Sequence, residues 1–320
     1  MPQRMFVDTY FNTSHILEDT THYSFLAMKN IILLMRPHQW LKNAFVFLPL
    51  FFDQKMLSGS EFIDAMLAFI SFSFAASSIY CLNDIIDIEA DRLHPKKCKR
   101  VLASGKISKT QALIVMAVLM VASIAIPLVA FQGRTMFELT AVTVLYIAMN
   151  MAYCLKIKKF AIVDVFTIAT GFVMRVAAGG IATDIWISQW IVSLTFLLAL
   201  FLAFAKRRDD VVIFNQSGTK TRNNIIRYNL EFLNSAISIV GTMTMICYIM
   251  WCMSEEVIER MGTDKLYMTA LFVLLGIMRY LQVTMVDTKS GSPTTILYKD
   301  RFIHVCIAGW IATFYTIIYL

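Results

Sequence analysis

The chain has 320 residues, of which 58% are hydrophobic and 16% are charged, and its mean hydropathy is +0.64. Soluble domains carry about 25% charged residues, so this composition excludes an ordinary cytosolic enzyme, a disordered chain and a secreted disulfide scaffold. The net charge of +7 does not indicate a nucleic-acid partner, because the topology of a membrane protein accounts for an excess of Lys and Arg.

The chain is predicted to be a polytopic membrane protein. Residues 1–23 form a polar N-terminal segment without the apolar core of a signal peptide, and residues 24–320 are predicted to form one transmembrane domain. A spanning helix needs about 20 largely apolar residues. Nine stretches qualify, at about 40–57, 62–83, 109–132, 135–155, 161–182, 186–205, 232–254, 266–285 and 302–320. Runs this long favour helices over barrel strands, so the predicted fold class is all-α.

Segment 24–35 has two interpretations. It is apolar around Lys29 and precedes Arg36-Pro37. It either lies in the membrane interface as an amphipathic helix or begins the first span.

The distribution of basic residues predicts the orientation. If the N-terminus is cytoplasmic and nine helices alternate, 24 of the 29 Lys and Arg residues lie on the cytoplasmic side. Four lie outside and Arg175 lies within the fifth span. By the positive-inside rule, this bias predicts an inner-membrane protein with its C-terminus outside and its polar chemistry facing the cytoplasm.

An acidic group stands at the cytoplasmic end of the second stretch. Four oxygen-bearing side chains share an arc of about 100° if the helix continues there: Asn83, Asp84, Asp87 and Asp91. Crowded carboxylates repel one another, and Mg²⁺ relieves this repulsion when one or two carboxylates and substrate phosphates hold it. The pattern favours a carboxylate–Mg²⁺–diphosphate site over an ordinary solvated helix end.

Basic and polar residues at other cytoplasmic ends are candidates for binding anionic phosphates. They are Arg36, Lys42 and Asn43, then Arg100 in the basic loop 94–106, Tyr153 with Lys156, and Lys206-Arg207-Arg208. The basic loop also satisfies the positive-inside rule, so both interpretations of it remain open. Arg175 lies deep in a span, where a charge needs a partner or a wet cavity. It either pairs with Asp164 or binds an anion, and Asp164 is itself a candidate substrate-binding residue.

With nine spans, the motif Asn83-Asp84-x-x-Asp87-x-x-x-Asp91 resembles the UbiA superfamily of intramembrane prenyltransferases. Further stretches resemble one branch, the decaprenyl-phosphate phosphoribosyltransferases, from about residue 30 to the C-terminus. These stretches are Arg36 to Asn43, Tyr153-x-x-Lys156, Asp164 through Arg175 to Gly180, Lys206-Arg207-Arg208, Tyr228-x-x-Glu231-Phe232-Leu233, Arg279-Tyr280 and Asp300-Arg301. Prenyl-transferring members typically carry a second motif, D-x-x-x-D, where this chain has Lys206-Arg207-Arg208.

The resemblance implies transfer of 5-phosphoribose from phosphoribosyl diphosphate (PRPP) to a polyprenyl phosphate of the decaprenyl type. It implies that Asp84, Asp87 and Asp91 hold Mg²⁺ as catalytic metal ligands and that Asn83 orients the diphosphate. Donor phosphates are expected at Lys156 and Arg100, and the 5-phosphate at Lys206 to Arg208. The acceptor phosphate is expected near four cations: Arg36, Lys42, Lys156 and Arg175.

Two other functions remain open. One is transfer of an isoprenoid from its diphosphate to an aromatic or other acceptor, which needs no additional phosphate-binding cations. The other is a transporter or lipid-binding protein, although transporters often place charges at the bilayer midplane and this chain places most of them at helix ends. The sequence is also compatible with a homo-oligomer.

Overall fold

The computed structural model describes residues 28–53, 55, 58–93, 97–217, 224–287, 296 and 299–319. Every regular element within these ranges is a helix, which confirms the all-α prediction. Eight of the described helices are long and apolar enough to cross a bilayer: Gly59–Ile86, Lys109–Ala130, Gly133–Leu155, Val163–Thr183, Gln189–Gln216, Leu230–Cys252, Lys265–Met285 and Arg301–Ile318. The polar segment 1–23 lies outside the described residues.

The described chain from residue 28 to residue 53, which includes most of the first predicted span at about 40–57, is not one long helix. Helix α1 covers residues 28–35, and Arg36, with a left-handed φ of 54°, ends it. A 3₁₀ helix, Pro37–Phe47, and the short helix α2, Leu48–Phe52, follow. Each of these two helices has a proline in its first turn, where no hydrogen bond from its nitrogen is needed. The same proline prevents the helix before it from continuing through this position. Residues 54, 56 and 57 of the predicted span lie outside the description.

The remaining α-helices follow in chain order. They are α3 Gly59–Ile86, α4 Ile88–Leu93, α5 Lys109–Ala130, α6 Gly133–Leu155, α7 Val163–Thr183, α8 Gln189–Ser217, α9 Leu230–Cys252, α10 Glu255–Met261, α11 Ala270–Met285 and α12 Arg301–Tyr319. Short 3₁₀ helices cover Lys97–Lys99, Ile157–Lys159, Ile225–Arg227 and Lys265–Thr269. A capping box between Ser108 and Gln111 begins α5, and the side chain of Asn229 caps α9.

The chain divides into two compact units. The first comprises Met1–Cys154 with Ile181–Thr183, and the second comprises Leu155–Gly180 with Asp184–Leu320. The single domain predicted for residues 24–320 stays a prediction.

In the first unit, side-chain hydrogen bonds join the 3₁₀ helix Pro37–Phe47 to α3. The Asn43 amide donates to Ser73 Oγ at 3.0 Å, and Trp40 Nε1 donates to Ser77 Oγ at 2.9 Å. The hydroxyl of Ser77 in turn donates to the carbonyl of Met35 at 2.8 Å. Because hydrogen bonds between buried polar groups are costly to break in an apolar surrounding, these contacts fix the chain on both sides of Arg36.

In the second unit, α8 packs against α9, and α11 packs against both α9 and α12. Its core is apolar and aromatic and contains Phe201, Phe204, Leu233, Ile237 and Tyr280. Such packing gives α7, α8 and α9 fixed positions for the polar side chains at their ends.

Candidate functional site

The aspartate-bearing segment bends at Asp87. Helix α3 ends at Ile86, and Asp87 has φ −94° and ψ 9° before α4 begins. The prediction assumed one continuous helix, and that assumption is wrong because Asp87 leaves helical geometry. The interruption is slight, since the N–H of Asp87 still donates to the carbonyl of Asn83 (3.0 Å) and the N–H of Asp91 to that of Asp87 (2.8 Å). Asp84 and Asp91 therefore stay on one side.

Two arginines meet these two buried aspartates. Arg100 Nη1 donates to Asp84 Oδ1 at 3.1 Å and to Asp91 Oδ2 at 2.5 Å, and the two aspartates are 4% and 3% exposed. Arg36 Nη2 donates to Asp84 Oδ1 at 2.5 Å, and its guanidinium lies 5.3 Å from the centre of the Tyr80 ring. The structure thus brings four of the predicted site residues together within the first unit: Arg36, Asp84, Asp91 and Arg100.

The donor atoms of this group suit a magnesium ion completed by substrate. Asp84 and Asp91 both contact the same nitrogen atom of Arg100, so one cation at that point reaches both carboxylates. Mg²⁺ prefers oxygen ligands and is often held by one or two carboxylates together with phosphates. Among the described residues no set of three His, Cys, Asp or Glu side chains is arranged to hold a metal ion, so Asp87 stays a predicted third ligand.

Other predicted residues of the first unit differ in exposure. Asn43 is 1% exposed, and its amide donates a hydrogen bond to Ser73. This contact helps to hold the 3₁₀ helix against α3. Lys42, Asn83 and Tyr153 are partly exposed. Lys97, which was not among the predicted site residues, places Nζ 4.0 Å from Asp91 Oδ1. Its place in the basic loop beside Arg100 was the signal that could have identified it.

A second polar group lies within the second unit. Asp164, in the first turn of α7, accepts a hydrogen bond from the Tyr228 hydroxyl at 2.9 Å and lies 3.0 Å from Arg207 Nε. Arg207 Nη1 also donates to Asp210 Oδ2 at 2.8 Å. Both Asp164 and Arg207 are fully buried. Burial raises the pKa of the Tyr228 hydroxyl, which therefore stays protonated and acts as the donor to Asp164.

The three consecutive cations of α8 have different surroundings, because successive helical residues turn by about 100°. Lys206 is exposed, whereas Arg207 is fully buried and Arg208 is 6% exposed. Arg208 donates to Asn234 Oδ1 at 2.7 Å and to the carbonyl of Thr284 at 2.5 Å. These contacts tie α8 to α9 and α11.

Arg175 does not pair with Asp164. Asp164 lies eleven residues earlier, which is about 16 Å along a helix, and its carboxylate contacts Arg207 and Tyr228. Arg175 is buried, donates to the carbonyl of Gly171 at 2.5 Å and lies over the Phe172 ring at 5.1 Å. Its role toward an anion stays a prediction.

The profile of the UbiA prenyltransferase family matches residues 50–307. The chain belongs to this family. As a UbiA-family member it is a multi-pass membrane transferase, which confirms the resemblance seen in the sequence.

Two relatives of this UbiA-family chain are decaprenyl-phosphate phosphoribosyltransferases. The protein from Mycolicibacterium smegmatis is 32% identical over 305 residues, which cover 91% of this chain and 93% of the relative. The protein from Mycobacterium tuberculosis is 30% identical over 294 residues, covering 88% and 92%. A solved UbiA homolog from Archaeoglobus fulgidus, bound to DMAPP and Mg²⁺, has a TM-score of 0.66 at 17% identity, covering 91% of this chain and 99% of that one. This last similarity supports the fold.

Tyr228 and Asp210 were not among the predicted site residues. Tyr228 does stand in the stretch Tyr228-x-x-Glu231-Phe232-Leu233, one of those that carry the family resemblance. Its hydroxyl partner, Asp164, is 64 residues away, so nothing in the local pattern links the two.

Proposed function

We propose that this UbiA-family enzyme transfers 5-phosphoribose from PRPP to a polyprenyl phosphate. The bond between C1 of the ribose and the diphosphate oxygen breaks, a bond from C1 to the lipid phosphate forms, and diphosphate leaves. The observation that carries the proposal is the 32% identity, over 91% of the chain, to a protein named decaprenyl-phosphate phosphoribosyltransferase. That name also supports a long polyprenyl acceptor.

In this proposal Arg36 and Arg100, which both lie in the first unit, bind the donor diphosphate. The leaving diphosphate gains negative charge as the C1–O bond breaks, and preorganised cations stabilise such charge most where water is scarce. Guanidinium groups match phosphate oxygens in shape and stay protonated. Arg36 and Arg100 already lie at Asp84, and Arg100 also lies at Asp91, so the same region offers both cations and carboxylates.

Asp84 and Asp91, with Asp87 as the predicted third ligand, would hold Mg²⁺, which supplies Lewis-acid charge to the leaving group. Asn83 is proposed to orient the diphosphate. The acceptor is a phosphate oxygen that is anionic at neutral pH, so its attack on C1 requires no general base. The protein's own contribution is therefore charge and position.

In the second unit, Lys156 is exposed at the start of the turn before α7, and we assign it to a phosphate of the donor PRPP. Lys206 is the exposed cation of its group and is assigned to the 5-phosphate, and Arg175 to the acceptor. Arg207 and Arg208 are left out of this assignment, because their guanidinium groups already contact carboxylate, amide and carbonyl oxygens of the protein.

The proposed topology has nine crossings in the inner membrane. The predicted stretch at about 40–57 is proposed as the first crossing, and the eight long helices as the others. A cytoplasmic N-terminus then puts 24 of the 29 Lys and Arg residues on the cytoplasmic side. The active site accordingly faces the cytoplasm, where a water-soluble sugar diphosphate is accessible.

The test is a reconstituted reaction. Purified protein in detergent receives Mg²⁺, PRPP labelled in the ribose and decaprenyl phosphate, and we expect a labelled lipid that depends on all three. A parallel reaction offers a prenyl diphosphate with an aromatic acceptor. Turnover in that reaction, with no labelled lipid from PRPP, would show the enzyme to be a prenyltransferase instead.

A further inference from the structure

The hydroxyl of Tyr228 makes two hydrogen bonds to the start of α7. It donates to Asp164 Oδ1 at 2.9 Å and accepts from the backbone N–H of Ile162 at 2.6 Å. The ring is 6% exposed and stacks on Phe232, with centroids 6.1 Å apart. The ring therefore belongs to the core, while the hydroxyl binds the turn at Ile162 and the first turn of α7 at Asp164.

The turn that the hydroxyl contacts has an unfavourable backbone conformation. Ile162 has φ +70°, in the left-handed region that a β-branched residue rarely adopts. It connects the 3₁₀ helix Ile157–Lys159 to α7, and Lys156 is the N-cap residue of that 3₁₀ helix. A strained conformation persists only where its surroundings determine it, and the bond from Ile162 to Tyr228 is one such determinant.

Asp164 is fixed from its other side by a buried ion pair. Arg207 Nε lies 3.0 Å from Asp164 Oδ2, and neither side chain is exposed. Separating the two side chains would leave each charge buried without a partner, which is strongly unfavourable. The ion pair therefore holds the carboxylate of Asp164 in place. Tyr228 thus links the turn to an anchor on α8.

We propose that Tyr228 is a positioning residue that sets the path of the turn 156–162 and thereby the position of Lys156 toward its substrate phosphate. The inference rests on the proposed function, in which Lys156 contacts that phosphate. Tyr228 itself touches no substrate in this account. It acts through the amide of Ile162 and the carboxylate of Asp164.

The variant Tyr228→Phe tests this directly, because it keeps the ring and removes both hydrogen bonds. We expect KM for PRPP to rise about tenfold while kcat changes less than about twofold, since one or two lost hydrogen bonds are of that order. The double variant with Lys156→Met should be no worse in KM than Lys156→Met alone, because the lysine assigned to the phosphate is then absent and the turn has no effect to exert through it.

Tyr248→Phe is the matched control. Tyr248 is another buried tyrosine of the same unit, and its hydroxyl accepts from Trp310 Nε1 and bonds Thr269 Oγ1, each at 2.6 Å. Both variants should lower the thermal midpoint, but only Tyr228→Phe should raise KM. Equal KM values for Tyr228→Phe and the wild type would overturn the proposal.

Hydrogen exchange gives a readout that needs no turnover. The amide of Ile162 donates to Tyr228 in the wild type. Peptides covering 160–166 should therefore exchange faster in Tyr228→Phe than in the wild type, and at the wild-type rate in Tyr248→Phe. Unchanged exchange in Tyr228→Phe would show that the hydroxyl does not hold the turn. If the wild type makes no labelled lipid, the proposed function fails, whereas the exchange result still decides whether Tyr228 holds the turn.

Discussion

Arg100 Nη1 lies 2.5 Å from Asp91 Oδ2, so the basic loop folds back onto the acidic helix end from which it emerges. The same nitrogen lies 3.1 Å from Asp84 Oδ1. The guanidinium of Arg100 therefore already bridges two carboxylates, one in α3 and one in α4, that would repel each other without it. The position of Arg100 is the geometric reason for treating this group as a diphosphate site.

Replacing Arg100 should therefore reduce catalysis strongly. We expect Arg100→Gln to lower kcat/KM for PRPP about 100-fold or more, the usual loss when one preorganised donor to a developing anion is removed. Arg100→Lys should be intermediate, because it keeps the charge and loses the planar fork. Initial rates of labelled-lipid formation measure both.

The control for this variant is Arg134→Gln. Arg134 is an exposed cation bound to Glu138 four residues on, so its loss should change kcat/KM less than about twofold. Full activity in Arg100→Gln would remove Arg100 from the donor site.

Metal removal should stop the reaction, and Mg²⁺ should restore it. In Asp84→Asn and Asp87→Ala, we expect the Mg²⁺ concentration for half-maximal rate to rise about tenfold or more, or activity to vanish, because each loses a charged oxygen ligand. Binding of Mn²⁺, followed by electron paramagnetic resonance, should weaken in parallel. A wild-type rate that persists in excess EDTA would contradict the metal assignment, and full activity in Asp87→Ala would remove Asp87 from the ligands.

The sequence predicted the helical architecture well because each spanning helix needs a long apolar run, which is a local signal. It left open whether the helix before Arg36 is separate from the first span, and it did not predict the interruption at Asp87. Apolar content shows that a segment is buried in lipid or protein, but not where a helix ends and resumes. Pro37 was the available signal for the interruption at Arg36.

The site could be predicted only in part for a similar reason. Helical spacing places Asp84 and Asp91 on one face, and Arg100 follows directly in the chain. The burial of Arg207 depends instead on Asp164, 43 positions earlier, and that contact exists only after α7 and α8 have packed. Three consecutive basic residues look alike in the sequence, although the fold gives them different roles.

The buried ion pair of Arg207 and Asp164 should contribute to the stability of the protein rather than to the binding of substrate phosphates. Arg207→Leu should lower the free energy of unfolding by about 3–5 kcal/mol, because it leaves Asp164 charged and fully buried. Adding Asp164→Leu should recover part of that loss, since the remaining charge is removed as well. Thermal unfolding in detergent compares the variants, and a double variant less stable than Arg207→Leu would contradict this account.

Asp300 should make the stability of the second unit depend on pH in the acidic range. Its Oδ2 accepts from Arg279 Nε and Nη2 at 3.0 and 2.7 Å, and its Oδ1 accepts from the N–H of Ile303 in the first turn of α12. The bond from Arg279 lowers the pKa of Asp300 below its ordinary value of 3.8. A carboxyl with a lowered folded-state pKa stabilises the protein above its unfolded-state pKa, and this contribution is lost as the pH falls through the folded-state pKa.

The variant Asp300→Ala should accordingly be less stable than the wild type at pH 7 by about 1 kcal/mol, the usual contribution of a helix cap. The gap in thermal midpoint should be constant from pH 7 to about pH 5 and should narrow below about pH 4, where the unfolded carboxyl takes up its proton. Glu138→Ala, in the exposed pair with Arg134, should show almost no gap at any pH. A gap for Asp300→Ala that stays constant down to pH 3 would mean that Asp300 stabilises this end of the unit without its charge.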